Sequence, residues 1–211
     1  MSNLKGIKIL DSAKVIQSRV NEASAKVLNQ KIKSNLGDIQ NKCRDLAVSF
    51  LMSSPEIASI SGGELAGAFG LTSGQSSVAI AAISQAFVNS IYVEFKNFDK
   101  SLRNGGVYIY FQPSSFANLL NLPEGHNIYE SGDLHWLQWL LERGDEIIVA
   151  GYSYDPKSGL GRSGLGYMSE GGAFRVPPQF SGTSDNNFIT RSLIGSSQER
   201  QIFTILKNAL K

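Results

Sequence analysis

GLGRSGLGYMSEGGAFRVPPQFSGTSDNNFITRSL, residues Gly159 to Leu193, decides how the rest of the chain is read. The stretch is too rich in glycine for an ordinary packed helix. It also carries Met168, Phe174, Val176, Phe180, Phe188 and Ile189, too many large apolar side chains for a disordered linker. Arg162, Arg175 and Arg191 recur through it. Such a segment is ordered by its surroundings, and other subunits can be among them. It holds no residue set that performs chemistry, so it points toward assembly rather than catalysis.

The composition around this stretch agrees with that direction. A chain of 211 residues suits one domain, or one domain with an arm. The 42% hydrophobic share is ordinary but the 18% charged share is low, which leaves surface for partners to cover. A formal net charge of +2 argues against nucleic-acid binding, which calls for a basic stripe. Cys43 is the single cysteine and sits on an apolar helical stripe. It is expected as a small core residue in a protein made in a reducing cytoplasm. The first ten residues lack the apolar run and cleavage site of a signal peptide. Val78 to Val93 is interrupted by Ser84, Gln85, Asn89 and Ser90, short of the ~20 apolar residues that span a bilayer, so no membrane association is expected.

Upstream, Asp11 and Ser12 are helix-capping types. Val15, Ile16, Val20, Val27, Leu28, Ile32 and Leu36 follow at helical spacing and are expected to share one apolar stripe. Gly37-Asp38 predicts a break and a second helix bearing Ile39, Cys43, Leu46, Ala47, Phe50 and Leu51, with one long kinked helix as the alternative. Pro55 ends that region. Gly62-Gly63 predicts a turn, Glu64 to Phe69 a short helix closed by Gly70, and Ser76-Ser77 the cap of a helix through Asn89.

The period then changes to two. Ile91, Val93 and Phe95 predict a strand, and Val107 to Gln112 a second, joined as an antiparallel hairpin by a wide loop with Asn104-Gly105-Gly106. Ser114 to Leu120 predicts a short helix. Leu134 to Gly144 predicts a compact helix carrying Trp136 and Trp139, Glu146 to Tyr154 a third strand, and Ser197 to Leu210 a last helix. Arg175-Val-Pro-Pro extends a strand until the prolines end it. The expected fold is α+β in one compact domain overall. Residues 1–90 are mainly helical, with long N-terminal helices. Residues 91–211 supply a small, mostly antiparallel sheet with packed helices and an extended glycine-rich arm over 155–196.

Tests for chemistry come back empty. His126 and His135 flank an acidic loop with Glu124, Glu130 and Asp133, but neither an i, i+4 histidine pair nor a cysteine cluster accompanies them, so no metal is expected. Gly161-Arg162-Ser163-Gly164 resembles a nucleophile elbow only loosely. Gly159-Leu160-Gly161-Arg162-Ser163-Gly164 matches GxGxxG, yet follows a loop with no helix after it, and no lysine completes a phosphate cradle. Glu142, Asp145 and Glu146 are expected as solvated carboxylates. The reading is therefore no enzyme and no cofactor.

Ser54 to Leu71 (SPEIASISGGELAGAFGL), Trp136 to Tyr154 (WLQWLLERGDEIIVAGYSY) and Arg162 to Leu193 together resemble a group of tailed-bacteriophage virion proteins, the neck (head–tail connector) and tail-completion proteins. The resemblance runs from about Leu46 to Leu193, rests most on the residues from Trp136 onward, and between Ile91 and Asp133 is one of pattern alone. It implies a structural subunit without enzymatic activity, located in the virion at the head–tail junction and made in the host bacterial cytoplasm. Such subunits form a homo-oligomeric ring, six- or twelve-fold, between the portal and the tail tube or terminator proteins, and DNA passes through the lumen without sequence-specific binding. Ring contacts of this kind are heterologous. The arginine-bearing arm fits them, and the residues expected at the interface are Arg162, Phe174, Arg175, Asn187 and Arg191. The competing readings are a minor tail or adaptor protein that binds a virion partner without forming a ring, and a virion-associated hydrolase.

Overall fold

The computed structural model describes residues 11–129, 132–157 and 159–211. The first ten residues and Glu130 of the acidic loop lie outside them.

Ser12 caps α1, which runs unbroken over Ala13–Met52. The break expected at Gly37-Asp38 does not occur. Glycine inside a helix costs about 1 kcal/mol relative to alanine. The residues on either side of Gly37 repay that. Ala25, Ile32 and Ile39 at seven-residue spacing, then Cys43, Ala47 and Leu51 at four, form one continuous buried line. Val20 and Val27, expected on the same stripe, are instead 53% and 63% exposed on the opposite face.

Pro55 ends α1 and also begins α2 (Pro55–Gly62), a helix the sequence reading did not contain. Ser54 caps it and proline occupies its first turn, where its missing N–H costs nothing. α3 (Glu64–Ala68) follows, and Gly70 after it adopts φ +62°. α4 (Ser73–Ser90) starts four residues before Ser77 because Thr72 and Gln75 form a reciprocal capping box.

β1 (Tyr92–Lys96) and β2 (Gly106–Tyr110) form the expected antiparallel hairpin, with Tyr92 and Tyr110 stacked 4.4 Å apart. The hairpin lies along α1. Asn29 exchanges hydrogen bonds with the Phe98 backbone, and Gln40 accepts from the Val93 N–H. α5 (Ala117–Leu120) is shorter than expected. β3 (Asn127–Tyr129) and β4 (Gly132–Leu134) make a second hairpin inside the acidic loop, which the sequence did not announce. α6 (Trp136–Leu141) is the expected tryptophan helix, and Gly144 turns the chain at φ +61°.

β5 (Val149–Asp155) pairs with β6 (Tyr167–Phe174), the latter built from the glycine-rich segment itself. In place of the single small sheet expected, the described residues form three separate two-stranded ribbons. α7 (Phe188–Leu193) and α8 (Ser196–Ala209) close the chain. The architecture is α+β. One buried cluster reaches from Ile39 to Ala209, with Phe69 tilted against Trp136 at 5.5 Å near its middle. Among the described residues no helix is long and apolar enough to cross a membrane.

Candidate functional site

The glycine-rich segment folds as two parts with different fates. The second part, from Phe174 onward, returns into the body. Phe174 is buried edge-on to Phe69, with ring centroids 6.5 Å apart. Asn187 caps α7: its Oδ1 accepts from the Ile189 and Thr190 N–H groups, and Thr190 Oγ1 accepts from the Asn187 N–H. Asn187 Nδ2 donates to the Leu141 and Thr183 carbonyls, so a side chain with no solvent exposure has every polar atom paired. Arg191 Nη2 stands 2.6 Å from Oε1 of Glu56, a carboxylate only 1% exposed on α2. Its Nη1 donates to the Ser181 and Asn186 carbonyls. The run Asn187–Arg191 is therefore a clasp that fastens the end of the chain to α2 and α6.

The first part stands further out. Arg162 straps its loop to the body, donating from Nε to the Gly70 carbonyl (3.0 Å) and from Nη2 to Asn127 Oδ1 (2.6 Å). Its guanidinium lies 5.0 Å over the Tyr129 ring. Tyr129 and Asn127 both donate to the Phe69 carbonyl. Burial pushes the Tyr129 hydroxyl above its ordinary pKa, and the nearby Arg162 charge opposes that. Tyr154 lies directly on Gly67, where any Cβ would collide with the phenol, and donates to the Leu165 carbonyl. Burial raises its pKa too, and the carboxylates of Glu64 and Asp155 add to the effect.

Between α3, the β3–β4 ribbon and the β5–β6 ribbon opens a cleft of about 650 Å³. Leu134, Ile148, Val149, Met168 and Phe174 give it apolar walls, and Asp133, Tyr129 and Arg162 stand at its polar side.

Of the five residues expected at an interface, Arg162 and Phe174 meet at the cleft and the other three do not line it. Phe174 and Asn187 have no surface to offer a neighbour in this conformation, and Arg191 and Arg162 are held by intramolecular partners. Arg175 is exposed, its one hydrogen bond running to the Asp145 carbonyl. The other cleft residues went unpredicted. Their only sequence signals were the alternation in Asn127-Ile128-Tyr129 and in Tyr167-Met168-Ser169.

His126, His135 and Ser163 each have contacts within the chain. His126 Nδ1 sits 2.9 Å from Asp133, His135 Nε2 sits 3.0 Å from the Leu120 carbonyl, and the two rings lie 3.5 Å apart. Ser163 Oγ accepts from the Leu165 N–H, with no base bonded to it among the described residues. No group of three metal-ligating side chains occurs among the described residues. No protein family, characterised protein or solved structure gives a significant match to the chain.

Proposed function

We propose that this chain is a structural subunit of a tailed-phage virion, a neck or tail-completion protein that forms a ring joining the portal to the tail tube. The observation that carries the assembly reading is the β5–β6 ribbon. Among the described residues it has only two strands, so its outer edges offer backbone groups for pairing. From Val149 to Tyr152 every residue is exposed, and so are Glu170 to Gly172 opposite. Isolated two-stranded ribbons are marginal in water, and open edges are templates for further strands. A ribbon that is held at its ends by Phe174 and Tyr154 and left bare between them suits a contact completed by another chain. The resemblance of Trp136–Tyr154 and Arg162–Leu193 to neck and tail-completion proteins supplies the location. In this reading the chain carries out no catalysis, and DNA crosses the ring without being read.

Electron microscopy of the intact phage particle, or of the chain mixed with portal and tail tube, tests the proposal. A ring at the head–tail junction is the expected result. A particle that lacks the chain overturns it. Attachment of single copies elsewhere on the tail would favour the adaptor reading instead.

A further inference from the structure

α1 is 40 residues long, about 60 Å, and its first half is covered on one face only. α8 accompanies it as far as Asn35, whose Nδ2 donates to the Ala209 carbonyl. Beyond that, one face meets the β1–β2 loop through Asn29, Glu22 and Asn21. No described residue covers the other face. Ile16, Val20, Ala23 and Val27, spaced four, three and four, form an exposed apolar line opposite the buried one. The same face turns polar from Gln30 onward, through Ser34, Asp38 and Asn41. The apolar line is thus confined to the free half of the helix. Arg19, Lys26 and Lys33 run beside it at seven-residue intervals, with Lys31 on its other flank.

The charge of this half is opposite to that of the cleft region. Residues 13–33 hold five Lys or Arg and one Glu, Glu22, which pairs with Lys100. Residues 132–170 hold six Asp or Glu and three Lys or Arg. Of those three, Arg143 pairs with Glu146, Lys157 pairs with Asp155, and Arg162 stands at the cleft wall, bonded to Gly70 and Asn127. The cleft walls are apolar, with Val149 and Met168 well exposed.

We propose that the free half of α1 docks in the cleft of a second copy of this chain, its apolar line in the groove and its lysines against the acidic surround. This is helix-in-groove recognition used head to tail. It deepens the ring reading and rests on it. The contact is between chains because α1 is continuous through Gly37 and clamped from Ile39 to Leu51, so its first half has no hinge with which to fold back. Pairing of two such helices with each other is disfavoured. In antiparallel packing the flank of Arg19, Lys26 and Lys33 meets the same basic flank of the other copy, and in parallel packing it meets Lys31. DNA would account for the lysines but not for the apolar line between them.

The experiment uses the full chain and light scattering over a concentration series. An arm variant, Val20→Asp with Val27→Asp, changes only exposed side chains. A cleft variant carries Asp133→Lys with Met168→Lys, and Val149→Lys replaces it should that pair lose cooperative thermal unfolding. The expected result is a wild type that assembles beyond the dimer, two variants that are each monomeric, and an equimolar mixture of the variants that stops at the dimer. In that mixture one chain supplies the only intact arm and the other the only intact cleft. A wild type monomeric at every attainable concentration overturns the proposal. So does a cleft variant that assembles like wild type, which would mean helix–helix pairing. Variants that leave assembly untouched, while the arm variant loses binding to duplex DNA, overturn it in favour of a polyanion site. Any of these can occur with the chain still present as a ring in the particle, and then the proposed function stands without this contact.

Discussion

The clasp at Phe174–Leu193 and the free half of α1 make an instructive pair. The clasp has the residues usually associated with interfaces: arginines, phenylalanines, asparagines and glycines. Its polar side chains nevertheless find partners inside the same chain. Asn187 is fully buried, and Arg191 neutralises a buried Glu56. The free half of α1 reads as a plain amphipathic helix and yet carries four apolar side chains in water. Composition shows what a segment could bind. The surface left after folding shows what it still has to bind, and in this molecule the two measures pick opposite ends of the chain.

The strongest way to break the comparison is through the clasp. Arg191→Ala would leave the Glu56 carboxylate buried without its counter-charge, and such losses cost 3–5 kcal/mol. Arg191 keeps about a third of its side chain in water, so the expected loss is near the lower end, about 3 kcal/mol, measured by urea unfolding. Adding Glu56→Gln should recover part of it. A loss below about 0.5 kcal/mol, typical of a surface position, would show that the clasp is not internal. Asn187→Ala is the next step down. It removes the cap of α7 and leaves the Leu141 carbonyl short of a donor, for an expected 1–2 kcal/mol. Reading Asn187 as an exposed interface residue instead predicts no change in the urea midpoint.

The α+β class was legible because the pattern changes from period 3.6 to period two at Ile91, and the tryptophan helix was legible from its density of large apolar residues. Other features were settled by burial, which local sequence does not display. Gly37 looked like a break, and only the neighbours of Ile32 and Ile39 make a continuous helix worth its cost. Val20 and Ile32 looked like one stripe, because a helix with two apolar faces gives the same run of spacings as one broad face. The cleft was not legible at all. It is assembled from α3, β3–β4 and β5–β6, which are distant in sequence and meet through Arg162 and Phe69.

Substitution in the free half of α1 should give the inverse of the clasp result. Val20→Ser with Val27→Ser exchanges two exposed side chains and is expected to shift the stability of the isolated chain by no more than about 0.5 kcal/mol. A stabilisation would sharpen the contrast further, since it would mean that the apolar line is tolerated at a cost to the monomer. A clear destabilisation, seen as a lower melting temperature in dilute solution, would show that this face is covered within the chain after all.

The smallest effect concerns the brace on the free half of α1. The β1–β2 loop holds the free half of α1 on one side through Asn29 and the Lys100–Glu22 pair, and Asp99 holds the loop. Its carboxylate accepts from the Ser101 hydroxyl and N–H, the Arg103 N–H and the Asn104 amide. The Ser101 hydroxyl leads in drawing its pKa from 3.8 down to about 2, followed by Asn104. A depressed carboxylate pKa means the folded state favours the ionised form. The contribution is therefore complete above about 3.8 and disappears as pH falls through about 2. Carboxyl titration by NMR should place the Asp99 midpoint well below that of an ordinary aspartate. Amide exchange at Ser101 and Arg103 should stay slow until the same range. Loss of protection near pH 4 would mean that the loop is not held by Asp99. The free half of α1 would then be braced by the Asn29 pair and the exposed Lys100–Glu22 contact alone, and surface ion pairs of that kind hold a helix only weakly.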